Sequence, residues 1–251
     1  MSGADHVMYL GHATNLIRIG GMRLLTDPIF GGILGVGKRY RPFPLDPAAL
    51  GRLDGILLSH AHYDHLDTAS LRKLSRQVPV IVPPHTAPFV SRLGYGDVRE
   101  LGWWQSATIG AARITATPAA HWPGRLPWSR RTGYGGYMIE AADKTVFFAG
   151  DTGACREYPA IAARWQIDLA IIPIGAYNPD AFRVNHLSPE DALDAFVQLK
   201  ARRMFPIHWG VFRLSREPMH EPPVRLERAA NQRGLSQQVT VLQPGEQIAI
   251  D

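Results

Sequence analysis

A chain of 251 residues has room for one sizeable domain or at most two small ones, and 45% hydrophobic with 20% charged residues is ordinary globular composition. That balance excludes a disordered or low-complexity chain, and no apolar run approaches the roughly 18 residues needed to span a bilayer. The net charge of +5 comes mainly from scattered arginines without interleaved aromatics, which argues for a solvated face over a nucleic-acid footprint, although it would also draw an anionic substrate.

The first residues, MSGADHVMYLGH, carry no cationic segment ahead of a long apolar run, so no secretory signal is expected. The single cysteine, Cys155, has no internal disulfide partner, which fits a reducing, cytoplasmic setting. Short apolar runs punctuated by Gly and Pro predict strands over 7–10, 16–19, 22–25, 55–58 and 80–82. Further strands are expected over 113–117, 136–140, 145–149, 169–172 and 204–207. Uninterrupted runs such as GILL, TVFFA and LAIIP suit strands buried on both faces. Helices are expected over 68–76, 87–93, 154–165, 189–199 and 223–233. The fourth has the clearest start, with Ser188 as cap, Pro189 at the first position and Glu190 in the first turn. Segments 28–47, 121–133 and 209–223 have the length of functional loops. The alternation suggests two βα-type halves meeting near Pro118, within one domain spanning 1–251.

Chemistry concentrates first in SHAHYDHLD, directly after the apolar run GILL. On an extended segment His60 and His62 point the same way, and Asp64 and His65 follow at the turn into a helix. Four potential ligands within six residues, two offset from the other two, can serve two metals. Imidazole together with carboxylate suits Zn2+, Mn2+ or Fe2+. A lone cluster of this kind is compatible with a polar surface loop. Three more candidates change the balance, because each follows an apolar run: His121 in ITATPAAHW, Asp151 in TVFFAGDTG and His208 in MFPIHWG. A carboxylate placed after a buried strand is costly to desolvate without a cation or donors beside it.

In order and spacing, SHAHYDHLD, His121, GDTG and His208 resemble the metallo-β-lactamase superfamily over essentially the whole chain. The resemblance implies an α/β fold, the four-layer αββα sandwich, and a dinuclear hydrolase. It assigns His60, His62 and His121 to one metal and Asp64, His65 and His208 to the other. Asp151 would bridge the two, with a hydroxide between them as nucleophile. LLTDPIF, AAHWPGR, IPIGAY, VNHLSPEDA and FPIHWGVF with EPPVRL look like the branch of N-acyl-phosphatidylethanolamine-hydrolysing phospholipase D and its bacterial relatives. Ascorbate-6-phosphate lactonase is a more distant relation. The two-zinc β-lactamases carry Cys where Asp151 stands, so little antibiotic hydrolysis is expected.

The expected activity is therefore a phosphodiesterase of phospholipase D type, on a small or lipid-like phosphodiester, with two divalent ions, Zn2+ first and Mn2+ or Fe2+ as alternatives. A lactonase or carboxyl-ester hydrolase on the same metals is the alternative, ahead of a nucleic-acid-processing or non-catalytic binding protein. Asp64 is expected either as a ligand alone or as a ligand that also accepts a proton as the new bond forms. Asp27 reads equally as a turn residue, while the resemblance implies that it orients a metal ligand by hydrogen bonding. His186 reads as a loop residue from its position alone, and the resemblance suggests a substrate-side or proton-donating group near the metals. Trp122, Trp128, Trp209 and Phe212 would either pack the core or wall a pocket for an acyl group. Arg125, Arg130 and Arg131 are candidates to grip a phosphate, and Tyr177 and Asn178 to form the rim.

Overall fold

Each of the ten runs expected as strands pairs into one of two sheets in the computed structural model, which describes residues 4–32, 37–126 and 131–250. In chain order they begin with β1 (His6–Gly11), β2 (Thr14–Ile19), β3 (Met22–Thr26), β4 (Gly55–Leu57), β5 (Val80–Val82) and β6 (Val98–Glu100). There follow β7 (Ser106–Ile109), β8 (Ala112–Thr117), β9 (Gly136–Ala141), β10 (Lys144–Phe148), β11 (Leu169–Pro173), β12 (Arg203–Ile207) and β13 (Gln247–Ala249). The first sheet runs β13-β1-β2-β3-β4-β5-β6 and the second β12-β11-β10-β9-β8-β7. Both are mixed: β3 to β6 and β10 to β12 are parallel, and the remaining neighbours antiparallel.

Burial alternation stacks these sheets into four layers. Val7, Ile17, Leu24 and Ile81 of the first sheet meet Ile114, Tyr137, Phe148 and Phe205 of the second in a shared core. The outer face of the second sheet, with Phe147, Ala170 and Ile172, is covered by α3 (Tyr158–Ala162), α4 (Pro189–Leu199) and α5 (Glu221–Gln232) through Tyr158, Ile161, Leu193, Phe196 and Leu226. On the other side Leu25, Ile56 and Val80 lie under Leu71 of α1 (Thr68–Leu71) and Val90 of α2 (Ala87–Ser91). Neighbouring Phe147 and Phe148 thus enter different cores, as period-two alternation on a doubly covered strand requires. Each fully buried side chain of this size contributes about 1.5–3 kcal/mol. The result is an αββα sandwich.

Where the structure departs from expectation, the causes are local. Strands β6, β7 and β13 carry no apolar run because they are edge strands that are only partly buried, unlike the fourth edge strand, β12, which is buried from Met204 to Ile207. The helix expected over 68–76 stops at Leu71, and the Arg76 guanidinium takes up the carbonyls of Leu71, Arg72 and Leu74 that further turns would have used. The helix expected over 154–165 starts only at Tyr158, because Pro159 has no N–H to give and fits a first turn. The division between halves falls between β6 and β7 instead of near Pro118, and β13 returns to the first sheet. Among the described residues, no helix is long and apolar enough to cross a membrane.

The pairing also fixes where side chains can converge. β1 and β3 both run antiparallel to β2, and β4 runs parallel to β3, so all three end on one edge of their sheet. By the same reasoning β8, β10, β11 and β12 share a direction in the second sheet. Residues that follow these strands therefore collect at one end of the sandwich. Gly175, beyond β11, packs so tightly there that a Cβ would lie 2.0 Å from the His208 carbonyl oxygen. Gly175→Ala is accordingly expected to destabilise by about 1–3 kcal/mol and, at roughly 2–4 °C per kcal/mol, to lower the melting temperature measurably. An unchanged Tm would show that this contact relaxes freely.

Candidate metal centre

The centre is assembled from strand ends held together by a few buried hydrogen bonds. Asp27, at φ 34° just after β3, is fully buried. Its carboxylate accepts from the Ser59 backbone N–H at 2.7 Å, the Ser59 hydroxyl at 2.6 Å and His65 Nδ1 at 2.7 Å. That last contact turns His65 Nε2 toward the middle of the site. On the second sheet, the Thr152 hydroxyl accepts from the Ala120 N–H at 2.9 Å and the Gly153 N–H donates to the Ala120 carbonyl at 2.7 Å, which sets His121 beside Asp151. Gly153 is required at this point, since a Cβ would come 2.3 Å from the Val184 carbonyl oxygen. His121 Nδ1 donates to the Asn185 carbonyl at 3.0 Å, leaving Nε2 facing His62.

All seven residues expected as ligands come together, and two environments can be distinguished. In one, His60 Nε2 lies 2.8 Å from His62 Nδ1, and His121 Nε2 lies 3.2 Å from the same atom. In the other, Asp64 Oδ2 lies 3.4 Å from His65 Nε2 and 3.3 Å from His208 Nε2. Asp151 Oδ2 stands 3.2 Å from His65 Nε2 and 3.1 Å from His208 Nε2, and Asp151 also groups with His60 and with His121. Within each group the donor atoms lie within 4.8 Å of one another. Donors spaced about 3 Å apart match the edges of a coordination shell whose bonds are about 2.0–2.2 Å long. His65 Nε2 and Asp151 Oδ1 are buried without a hydrogen-bond partner among the described residues, as atoms that serve as metal ligands would be. The donor set therefore fits divalent metal.

Electrostatics agree. Burial holds His60 well below its ordinary pKa, His62 down at about 4 and His121 at about 3, so these three are neutral donors. Burial works against charge on Asp64 and Asp151, but the surrounding histidines outweigh it and keep both carboxyls well below their usual range. Burial likewise opposes charge on His65 and His208, yet the facing carboxylates win, raising His65 well above its ordinary value and His208 to about 9. A buried and a largely buried carboxylate, Asp151 and Asp64, both held ionised, create a field that favours cations.

The remaining candidates are distributed unevenly. His186 reaches the cluster, with Nδ1 3.7 Å from Asp151 Oδ2 and its ring 5.2 Å from that of His121. Trp122 lies over His62 with ring centroids 3.9 Å apart. Arg125 donates to the Ala61 and Leu66 carbonyls at 2.9 and 3.0 Å and stacks on Tyr63, so part of its guanidinium secures the ligand-bearing loop. Tyr177 is buried, its hydroxyl donating to Glu221 at 2.8 Å, and Asn178 is exposed beside it with its N–H on Glu217. Trp209 and Phe212 are both buried, Trp209 in the core beneath α4 and α5 and Phe212 with Ile29 and Val211. Arg131 is exposed, and Trp128 and Arg130 lie outside the described residues.

One participant escaped the sequence reading. His12, directly after β1 and only 1% exposed, places Nε2 3.0 Å from Asp64 Oδ2 and groups with Asp64, His65 and His208. The strand-end rule that found the other histidines would have found it in MYLGHAT.

The profile of the β-lactamase superfamily domain matches residues 22–209. An uncharacterised protein of Mycobacterium tuberculosis is 33% identical over 96% of this chain and 68% of its own length. The mitochondrial N-acyl-phosphatidylethanolamine-hydrolysing phospholipase D of Saccharomyces cerevisiae is 34% identical over 88% of this chain, which spans only 51% of that protein. Among solved structures, Igni18, a metallo hydrolase from Ignicoccus hospitalis, superposes with a TM-score of 0.76 at 21% identity, covering 99% of both chains. Fold and site together define a metal-dependent hydrolase. The chain belongs to the β-lactamase superfamily.

Proposed function

We propose that the chain is a phosphodiesterase of phospholipase D type working with two divalent ions, Zn2+ before Mn2+ or Fe2+. His60, His62 and His121 would hold one ion, Asp64, His65 and His208 the other, with Asp151 shared. The observation that carries this reading is the position of Asp151, which groups with His60 and His121 on one side and contacts His65 and His208 on the other. Similarity to the yeast phospholipase supports the diester as substrate class.

When bound, such a pair of ions supplies a nucleophilic water near neutral pH and polarises the scissile group. The chain's own groups do the rest. Asp64, held ionised, can accept the proton released as the new bond to phosphorus forms. His186, whose Nδ1 lies 3.7 Å from Asp151 Oδ2, would give a proton to the departing alkoxide. Trp122, lying over His62, offers an apolar face next to the reacting centre.

Turnover of zinc-loaded protein on bis-p-nitrophenyl phosphate, compared with a monoester and a lactone panel, tests the assignment. Diester hydrolysis is expected to dominate; hydrolysis of lactones alone would install the carboxyl-ester reading in its place. His186→Ala is expected to lower diester turnover by about 10²–10⁴-fold, the usual contribution of a positioned proton donor, while metal content stays at two per chain. Loss of a metal would make His186 a ligand, and unchanged turnover would reduce it to a loop residue.

An apolar wall makes a graded prediction. Each methylene buried against it contributes about 0.8 kcal/mol, so kcat/KM should rise with alkyl length over the first few carbons and then level off. Trp122→Ala should flatten that slope. A flat profile in the wild type would point to a small polar substrate.

A further inference from the structure

The Asp64 carboxylate has a neighbour that the proposed ligand scheme does not use. His12 Nε2 approaches Asp64 Oδ2 to 3.0 Å, closer than either His65 or His208 comes to that oxygen, and at ordinary hydrogen-bond length. The His12 ring is wedged by its surroundings. It packs on His208 with centroids 4.2 Å apart and meets the edge of Phe212 at 5.1 Å. Its main chain is fastened as well: the His208 N–H donates to the His12 carbonyl at 3.0 Å, and the residue is held at φ 60° after Gly11. A histidine in this left-handed conformation is uncommon and persists where the surroundings fix it.

We infer that His12 is a positioning residue, which donates its Nε2–H to Asp64 Oδ2 and so fixes the carboxylate that would serve the second metal. This rests on the assignment of Asp64, His65 and His208 to one ion. A carboxylate on a loop can rotate between orientations, and a buried donor that is not itself a ligand selects one of them before metal arrives. Nε2 cannot serve both purposes, because a nitrogen that donates its proton has no lone pair for a metal. His12 also links the two sheets at this point: it follows β1 of the first sheet, bonds the backbone of His208 after β12 of the second, and holds Asp64 between them.

Titration of metal-free protein with cobalt(II), followed by its visible d–d absorption, separates the alternatives without relying on turnover. His12→Phe keeps a ring against His208 and Phe212 but has no donor. It should weaken cobalt at the second site by about 10–100-fold, the usual loss when an outer hydrogen-bond partner is removed, and leave the first site unchanged. At saturating cobalt its spectrum should match the wild type, since the ligand set is the same. His12→Gln, whose amide N–H can reach the same oxygen, should restore second-site affinity to near the wild-type value. Wild-type affinity in His12→Phe would overturn the inference, and so would a glutamine variant as weak as the phenylalanine one. An altered spectrum at saturation would also overturn it by making His12 a ligand. Should His12→Phe fail to fold, His12→Gln decides alone, with retained affinity expected and a loss of tenfold or more refuting. A wild-type chain that binds one cobalt would instead sink the two-metal assignment on which the inference stands.

Discussion

Asp151→Ala should lose turnover and at least one of the two metals together. Its Oδ2 lies 3.1–3.2 Å from His208 and His65, and it also groups with His60 and with His121. Among the described residues, no other carboxylate groups with both environments. Loss of an outer hydrogen-bond partner weakens metal binding by roughly 10–100-fold, and loss of a shared ligand should exceed that at each position. His208→Ala, by contrast, should weaken mainly the position it shares with Asp64 and His65. Elemental analysis and calorimetric titration provide the check. An Asp151→Ala protein that keeps two ions and wild-type turnover would refute the shared-ligand assignment, and wild-type protein that never exceeds one ion would refute the pair.

The second large effect belongs to Asp27. It touches no ligand-forming atom of the cluster, yet it accepts three hydrogen bonds, from the Ser59 N–H, the Ser59 hydroxyl and His65 Nδ1. Asp27→Ala leaves those donors buried and breaks a charge pair, which costs about 3–5 kcal/mol of stability. Asp27→Asn keeps the volume and one acceptor but sets an amide N–H against a donor. It should lose less stability while still weakening metal binding by about 10–100-fold, because His65 is no longer held in one tautomer and direction. Thermal unfolding of the metal-free chain measures the first effect and metal titration the second. An asparagine variant with wild-type metal affinity would show that His65 is oriented by packing alone.

These predictions draw on residues that were not equally visible in the sequence. His60, His62, Asp64 and His65 are neighbours in the chain, and a strand running into a turn gathers them automatically. Asp151 and His208 stood out as polar residues terminating apolar runs. Asp27 was ambiguous, because a Thr-Asp-Pro turn explains itself, and only its contacts with Ser59 and His65 give it a task. His12 lies beyond the end of a short N-terminal strand, and it follows β1 just as His208 follows β12. For the aromatic and basic residues the outcome was mixed: Trp122 lies on His62, whereas Tyr177 is turned toward Glu221 and Arg125 partly toward the backbone of the ligand loop.

The strands of both sheet interiors and the helix at Pro189–Leu199 were written in the sequence, since doubly buried strands need continuous apolar runs and a capped helix advertises its start. Edge strands β6, β7 and β13 were not, because partial burial imposes no such pattern. The ligand-type side chains were likewise legible, as buried carboxylates and histidines are costly without a purpose. Their partition was decided only by the tertiary structure. Residues from 12 to 208 meet because strand direction brings the ends of β1, β3, β4, β8, β10 and β12 to one end of two stacked sheets. Strand direction depends on long-range pairing, and no local pattern of residues records it.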